Sequence, residues 1–311
     1  MPLLTFSRLA VVATLLCVCA NSADAAELFP KALTSFSPAA GNPVFIAQGE
    51  GHWDVKIRER GWILFDKNAV DGSTAWRMWY TGYDGTREGQ KKLGLATSPD
   101  GLKWTAHPDN PVYDDVWVED LMIVPHDGTL YMFAEGKGDQ SHLLKSTDGV
   151  AWQRVGVLDV RKANGQPIEP GPYGTPTAYY EDGVWNLFYE RRDAGIWLAT
   201  SRDMKVWTNV SDAPVMIPGP ARFDFDLIAM NQVFKHQGRY YASIHGSKAG
   251  SKLWASGIAV SDDLRTWKKF HGNPLRPISE NKSSGLFIHD RKRFRFYTMH
   301  DQVHVHLPVE K

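Results

Sequence analysis

A seven-residue motif, S-x-D-x-x-x-W, occurs four times in this sequence and constrains its fold more than any other feature. The copies are Ser98–Trp104, Ser146–Trp152, Ser201–Trp207 and Ser261–Trp267. Each follows an alternating apolar run such as Leu93–Thr97, which predicts a strand. The Ser-x-Asp segment favours a tight turn, and the tryptophan then anchors the next strand. The chain is therefore predicted to repeat one antiparallel unit.

A second hairpin precedes each motif. In the third repeat it runs from Thr175 to Glu190, with a turn at Glu181-Asp182-Gly183. Equivalent hairpins run from Asp120 to Glu135, from Met230 to His245, from Gly285 to His300 and, more loosely, from Arg60 to Thr81. Two hairpins give four strands per unit, and five units at this spacing are typical of propeller blades. The sequence thus predicts an all-β fold, a five-bladed β-propeller of four-stranded blades.

The fifth unit lacks the motif and ends after a third strand near Val303–Leu307. In two repeats an Asn-Pro pair follows the motif tryptophan by six residues, at Asn110 and Asn273. The same spacing links Phe36 to Asn42 near the other end of the chain. We therefore expect the segment around Phe36 to supply the outer strand of the last blade and to close the ring, which leaves no long free edge.

The first 25 residues are predicted to be a secretory signal peptide. Arg8 precedes the apolar run Leu9–Ala20, and Ala23-Asp24-Ala25 offers a small-x-small cleavage site. The run is short for a bilayer span, and a retained anchor is the alternative. We expect cleavage after Ala25, a secreted or periplasmic protein, and a single domain over residues 26–311. Both cysteines lie in the leader, so we expect no disulfide in the mature chain.

The whole sequence has 35 basic and 35 acidic side chains and a net charge of zero. Nucleic acids and anionic lipids are bound through a basic surplus, so both roles are disfavoured. We expect a monomer that does not bind membranes in its mature form. The 12 Trp, 11 Tyr and 14 Phe can fill an all-β core, and they can also line a sugar-binding cleft.

Ionisable residues collect at one mouth of the predicted channel. Within a blade the start of the first strand lies beside the end of the second, so both positions face a common pocket. The first-strand positions are Arg58, Glu59, Arg60, Glu119, Asp120 and Thr175. The second-strand positions are Thr81, Glu135, Glu190, His245 and His300. Shortly before or after these strands come Trp53, Asp54, Tyr83, Arg191 and Asp226.

These residues permit two interpretations. The acids can form structural salt bridges with Arg58, Arg60, Arg191 and Arg192. Alternatively, paired carboxyl groups can cleave a glycosidic bond, one protonating the leaving oxygen while the other activates water or attacks the anomeric carbon. A third acid can adjust the pKa of the first by like-charge repulsion. The remaining polar positions, with Trp53 and Tyr83, are then predicted to contact the substrate.

The blade sequences resemble a known family. Met78–Gly82, Leu93–Trp104 and Asn110–Val112 are similar to blades of five-bladed glycoside hydrolases, of the arabinanase and β-xylosidase family 43 type and its invertase-like relatives. Within that group the chain most resembles exported bacterial proteins known as predicted glycosylases. The resemblance implies an exported hydrolase that cleaves an oligo- or polysaccharide with inversion at the anomeric carbon.

The resemblance also implies roles for three carboxyl groups: a base Asp from the first blade, a modulating Asp, and an acid Glu from a later blade. We predict Glu190 as the general acid, Asp54 or Asp120 as the base, and the other aspartate as the modulator. His245 and His300 are alternative acids. No cofactor is required, although the resemblance allows a structural cation such as calcium in the central channel. No metal-ligand set can be read from the sequence.

Two other functions remain open at this point. A phosphorylase on the same fold would grip phosphate with the four arginines at the mouth, and its turnover would depend on phosphate. A non-catalytic glycan-binding propeller would use the acids only to accept hydrogen bonds from sugar hydroxyls. A sialidase is disfavoured, because the Asp-box of sialidases has one more residue before its glycine than Ser98–Gly101 has.

Overall fold

The computed structural model describes residues 28–309 except 67 and 70–74, so the predicted signal peptide lies outside the described residues. In this part of the chain, 21 strands form five separate sheets. Each sheet contains four antiparallel strands in meander order, and the third sheet gains one extra strand. The predicted all-β, five-bladed propeller is therefore confirmed. No helix in the described ranges is long and apolar enough to cross a bilayer.

The blades are numbered in chain order. Blade 1 contains β2 (Lys56–Phe65), β3 (Trp76–Tyr83), β4 (Lys92–Ser98) and β5 (Thr105–Ala106). Blade 2 contains β6 (Glu119–His126), β7 (Thr129–Gly136), β8 (Gln140–Ser146) and β9 (Gln153–Val157). Blade 3 contains β10 (Asp159–Arg161), β11 (Gly174–Glu181), β12 (Val184–Glu190), β13 (Ile196–Ser201) and β14 (Val206–Asn209). Blade 4 contains β15 (Leu227–His236), β16 (Arg239–Ser247), β17 (Ala255–Ser261) and β18 (Lys268–Lys269).

Blade 5 joins the two ends of the described chain. It contains β1 (Phe36–Pro38), β19 (Ser284–His289), β20 (Phe294–Met299) and β21 (Val303–Pro308). β1 pairs antiparallel with β21, with Phe36 opposite Pro308, as the Asn-Pro spacing predicted. A short helix, α1 (Lys31–Thr34), precedes β1. Two 3₁₀ turns, Arg222–Asp224 and Ile278–Glu280, lie in the connections before β15 and β19.

The repeated motif forms the same turn in each of its four copies. In blade 1 the Ser98 hydroxyl accepts the Gly101 N–H at 2.9 Å. The Asp100 carboxylate accepts the N–H groups of Leu102 and Lys103 at 2.8 and 2.9 Å. These bonds satisfy the backbone donors of a turn that joins the third and fourth strands. The motif therefore has a structural role: it forms the turn that leads into the outer strand of a blade.

The three Asn-Pro sites brace the third strands. Asn110 uses its side-chain amide to pair with both backbone groups of Leu95, at 2.8 and 2.9 Å. Asn273 does the same with Ile258, and Asn42 with Val305. Each amide thus extends the sheet where the fourth strand has ended. The shared arrangement explains why Asn42 marks the completion of blade 5.

Aromatic side chains join neighbouring blades. Trp79 of β3 is fully buried, and its indole N–H donates to the Gly149 carbonyl in the turn of blade 2 at 2.7 Å. Tyr297 of β20 donates to the Gly101 carbonyl in the turn of blade 1 at 2.9 Å. These two aromatic side chains therefore pack one blade on the next.

Candidate active site

The first and second strands of each blade meet at one end of the channel, here called the mouth. Glu119 pairs directly with Glu135, and Gly174 pairs with Glu190. A cavity of about 170 Å³, the central cavity, opens at the mouth. Its lining consists of Arg58, Glu59, Glu119, Asp120, Glu135, Asp139, Thr175, Glu190, Arg192, Asp193, His245, Trp254 and Ser283. Seven of these side chains are carboxylic acids, so the cavity is strongly anionic when they are ionised.

β-Bulges direct the first-strand residues into this cavity. The strand pairing shifts register after Arg58, Glu119 and Gly174. At these bulges Glu59, Asp120 and Thr175 adopt left-handed backbone conformations, with φ of 53°, 43° and 44°. Non-glycine residues rarely occupy this region, and bulges often re-aim a side chain beside an active site. The same irregularity in three blades thus builds the acidic lining.

Glu59 is held in its ionised form. The Glu59 carboxylate contacts His300 Nδ1 at 3.1 Å and accepts a hydrogen bond from the Ser283 hydroxyl. Burial raises the pKa of Glu59, but His300, Arg58 and Ser283 together lower it to about 2. Ser283 and Glu59 both contact the same ring nitrogen of His300, so these residues do not form a serine-nucleophile triad.

Asp120 has the opposite electrostatic environment. Burial and the charges of Glu59 and Glu119 raise the pKa of Asp120 to about 8. One carboxylate oxygen accepts the Arg60 backbone N–H at 3.2 Å, and the side chain faces the central cavity. A carboxyl group with this pKa is largely protonated at neutral pH. Asp120 can therefore donate a proton in the cavity where Glu59 cannot.

Glu119 has both carboxylate oxygens engaged. Arg58 donates to Oε1, and the Trp117 indole N–H donates to Oε2 at 2.9 Å. Trp117 and Tyr83 in turn enclose the ammonium of the buried Lys91, which lies 4.2 Å from the centre of each ring. This cluster fixes the rim of the cavity beside blade 2 and leaves Glu119 little freedom to transfer a proton.

Gly174 of blade 3 lies between two carboxylates, one from blade 2 and one from blade 3. A β-carbon on Gly174 would lie 2.1 Å from Glu135 Oε2 and 2.6 Å from Glu190 Oε1. Glu190 accepts the backbone N–H groups of Gly174 and Asp193, one on each oxygen. Burial raises the pKa of Glu190, and burial with three neighbouring acids raises that of Glu135 well above its ordinary value. Only a glycine allows the two acids to approach this closely.

Asp193 is a cavity acid that the sequence analysis missed. It lies in the connection after Glu190, and its carboxylate has no hydrogen-bond partner in the described part of the chain. Burial and the charges of Glu190, Asp139 and Glu59 raise the pKa of Asp193 to about 7. The signal in the sequence that could have identified Asp193 is its position three residues after Glu190, which ends β12 at the mouth. Asp139 and Trp254 were also missed. Like Asp193, they lie in connections between strands, where strand pairing does not predict which way a side chain faces.

His245 is a neutral group on the wall of the cavity. Its Nδ1 lies 2.8 Å from the Asn231 side-chain oxygen, and its ring packs against Trp254 at a centroid distance of 5.3 Å. Burial lowers the pKa of His245 to about 3. At neutral pH it can exchange hydrogen bonds with a bound ligand but cannot act as a cation. His300 lies behind Glu59 and does not line the cavity.

Arg60 fills the channel below the cavity. Its fully buried guanidinium donates to Thr177 Oγ1 at 2.7 Å and to four backbone carbonyls. Those carbonyls belong to Asp120, Pro176, Met230 and Asn231. A metal cation here would meet a fixed positive charge, and among the described residues no three His, Cys, Asp or Glu side chains are arranged so that they could hold a metal ion. The channel therefore does not fit the calcium ion that the resemblance allowed.

Besides Arg60 and His300, five predicted site residues do not line the cavity, which corrects the expectation that they face it. Asp54 is fully buried within blade 1, 3.3 Å from the Tyr80 hydroxyl, and Trp53 covers Gly82 and Gly94. These residues are Trp53, Asp54, Tyr83, Arg191 and Asp226. Asp226 accepts the Ala249 N–H, and Arg191 donates to carbonyls of the connection before β11. Asp226 and Arg191 turn away because local backbone groups satisfy their polar atoms.

Comparison with known proteins identifies the fold. No protein-family model and no curated protein matches the sequence. A glycosyl hydrolase structure from Bacteroides ovatus has a TM-score of 0.72 at 16% identity, covering 89% of this chain and 95% of that one. A beta-1,2-mannobiose phosphorylase from Listeria innocua has a TM-score of 0.63 at 12% identity, covering 88% and 96%.

A third structure represents the GH130 family of mannoside phosphorylases, which contains glycoside hydrolases that target beta-1,2 mannosidic linkages in Candida mannan. Its TM-score is 0.68 at 16% identity, covering 88% of this chain and 93% of that one. The predicted five-bladed propeller of the glycoside hydrolase type is thereby confirmed as a fold. The family 43 affiliation is left unconfirmed by these structures.

Proposed function

We propose that this protein is a glycoside hydrolase that cleaves a glycan in the central cavity. The observation that carries the proposal is a set of carboxyl groups in one cavity whose environments separate their pKa values, from about 2 at Glu59 and about 7 at Asp193 to about 8 at Asp120. Such a separation is how one site supplies both a proton donor and an ionised carboxylate at neutral pH. The propellers of similar fold, which include a glycosyl hydrolase, support the same reaction class.

We assign the proton donor to Asp120 and the base that activates water to Asp193. Both side chains face the cavity, and each has an oxygen that forms no hydrogen bond to a described residue. Glu190, predicted above as the acid, accepts a backbone N–H on each oxygen and so holds Asp193 in place. Its charge also raises the pKa of Asp193. We therefore assign Glu190 a positioning role.

The charges at the mouth favour water over phosphate as the nucleophile. Arg60 and Arg191 donate to backbone carbonyls, and Arg58 donates to Glu119. Of the four arginines that a phosphorylase would use, only Arg192 lines the cavity without a hydrogen bond or ion pair in the described residues. The ionised carboxylates among the seven surrounding acids, Glu59 in particular, would repel a phosphate anion. A phosphorylase is the second candidate, because one similar structure is a phosphorylase.

The proposal is tested by incubating the mature protein with a panel of plant, fungal and algal oligosaccharides, with and without phosphate. We expect release of reducing sugar at the same rate in both conditions. Turnover that requires phosphate would assign the phosphorylase instead. Binding of oligosaccharides without any turnover would assign a non-catalytic glycan-binding propeller.

The pH dependence of kcat/KM follows from the two assigned groups. Asp193 acts as a base only when deprotonated, so the rate should fall as the pH drops below about 7. Asp120 acts as an acid only when protonated, so the rate should fall as the pH rises above about 8. We expect a bell-shaped profile between pH 4 and 10, with the acidic limb altered in Asp193→Asn. A profile that is flat from pH 5 to 9 would contradict the assignment.

Gly174→Ala should impair turnover with little effect on stability. The added methyl group would displace the carboxylates of Glu135 and Glu190, which are the flexible ends of their side chains. Because small displacements in an active site are costly, we expect kcat/KM to fall by about 100-fold. Gly195→Ala in the same blade is the control, since its β-carbon would meet Pro214 at 3.1 Å and no acid. Equal effects of the two substitutions on kcat/KM would refute the role of Gly174.

A further inference from the structure

A second cleft lies beside the central cavity at the mouth of blade 2. This cleft, of about 200 Å³, is here called the blade 2 cleft. Its polar and aromatic lining consists of Trp117, Lys137, Gln140, His142 and Arg154. The aliphatic wall includes Val157, which is 49% exposed at the end of β9. The combination of an aromatic ring, an exposed aliphatic side chain and a few convergent polar groups is typical of small-ligand sites.

A buried ring nitrogen in this cleft has no hydrogen-bond partner among the described residues. His142 is only 3% exposed, and its Nε2 forms no hydrogen bond to any described residue. A buried polar atom normally has a partner, and one without it marks a place that water or a ligand completes. His142 is also neutral, because burial and the charge of Arg154 lower its pKa to about 4. Its position suits a hydrogen bond with a hydroxyl group.

The cleft is cationic where the central cavity is anionic. The Arg154 side chain forms no hydrogen bond or ion pair within the described ranges, and Lys137 makes only an exposed contact of 3.6 Å with Glu88. The two sites share a wall, since Trp117 donates to the cavity residue Glu119 and the cavity residue Glu135 directly precedes Gly136 of the cleft. The cleft is therefore adjacent to the cavity in which the glycan would be cleaved.

We propose that the blade 2 cleft is a subsite for a sugar unit that carries a carboxylate, adjacent to the unit at which the glycan is cleaved. Arg154 would bind the carboxylate, the neutral His142 ring would exchange a hydrogen bond with a sugar hydroxyl, and Trp117 and Val157 would contact the apolar face of the sugar ring. The acidic lining of the central cavity would exclude the charged unit from the cleavage position. The inference rests on the proposed function for the placement of the glycan, and it names a uronate-containing substrate class.

The test uses monosaccharides, which have no glycosidic bond to cleave. Glucuronate and galacturonate, with glucose and galactose as neutral counterparts, are titrated into the ¹⁵N-labelled protein while the Trp117 indole N–H signal is followed. Trp117→Phe assigns that signal. We expect the uronates to bind and the neutral sugars to bind at least tenfold more weakly. Arg154→Gln should weaken uronate binding at least tenfold.

Arg222→Gln is the matched control, because Arg222 is another exposed arginine that lines a cleft at the mouth, on blade 4. It should leave the affinity measured at Trp117 unchanged. Equal binding of neutral and acidic sugars, or unchanged uronate binding in Arg154→Gln, would overturn the subsite. Inorganic phosphate that displaces uronate at lower concentration would reassign the cleft to a free anion. If uronates bind as expected but the oligosaccharide panel shows no turnover, the subsite stands and the hydrolase assignment falls.

Discussion

Asp120→Asn is expected to lower kcat/KM by about 10²–10⁴-fold, the usual contribution of a general acid. Asparagine has nearly the same shape as aspartic acid, tolerates the left-handed conformation at φ 43°, and can still accept the Arg60 N–H. It cannot donate a proton of the required acidity. The loss should be much smaller for aryl glycosides with acidic leaving groups, since these depart without protonation. Initial rates on both kinds of substrate provide the measurement.

Asp127→Asn is the control for this substitution. Asp127 also has a left-handed backbone, with φ of 46°, but its side chain is 89% exposed in the β6–β7 turn at the opposite end of the blade. The control should retain full activity. If Asp120→Asn were as active as the control on natural oligosaccharides, Asp120 could not be the proton donor. An equal loss on both kinds of substrate would give Asp120 a role other than leaving-group protonation.

Arg60→Met is expected to reduce the free energy of unfolding by about 3–5 kcal/mol, as for other buried charged groups whose partners are left unpaired. Arg60 belongs to blade 1, and its guanidinium donates to groups in blades 2, 3 and 4. Methionine has a similar length but leaves these buried acceptors without donors. Denaturant unfolding monitored by tryptophan fluorescence measures the change. Arg60→Lys should retain part of the stability, because it keeps the charge but has fewer donors.

Arg239→Met serves as the comparison. Arg239 is partly exposed and pairs with the exposed Asp262 at 3.1 Å, so its loss should cost less than about 1 kcal/mol. A loss of similar size in the two methionine variants would show that Arg60 does not join the blades. The result bears on function as well, because Arg60 also donates its backbone N–H to Asp120.

The fold was predictable because the recurring spacing within the repeat reflects hydrogen bonds that the motif side chains themselves form. The Ser and Asp of each motif form the hydrogen bonds of an outer turn, and the Asn-Pro sites brace the adjacent strand. The hydrogen bonds of the turn join residues at most three positions apart, and Asn110 pairs with Leu95, 15 positions away. The spacing of Phe36 and Asn42 could therefore locate β1 beside β21, although more than 260 residues separate them.

The site was predictable only in part. Strand register placed Glu119, Glu135 and Glu190 at the mouth, since a pairing rule is enough to locate them. The β-bulges at Glu59 and Asp120, and the connection that carries Asp193, depend on backbone geometry that no short motif specifies. Asp54, in contrast, was predicted to face the cavity and does not. Its position just before β2 suggested the cavity, but a hydrogen bond with Tyr80 holds it inside blade 1.

The central claim is that water attacks the glycan in the central cavity. The most direct test is hydrolysis of an active oligosaccharide in ¹⁸O-labelled water, with phosphate present, followed by mass spectrometry of the products. We expect one ¹⁸O atom at the anomeric carbon of the released sugar, at a rate that falls by about 10²–10⁴-fold in Asp120→Asn. A sugar phosphate that contains no ¹⁸O would contradict the account and identify phosphate as the nucleophile.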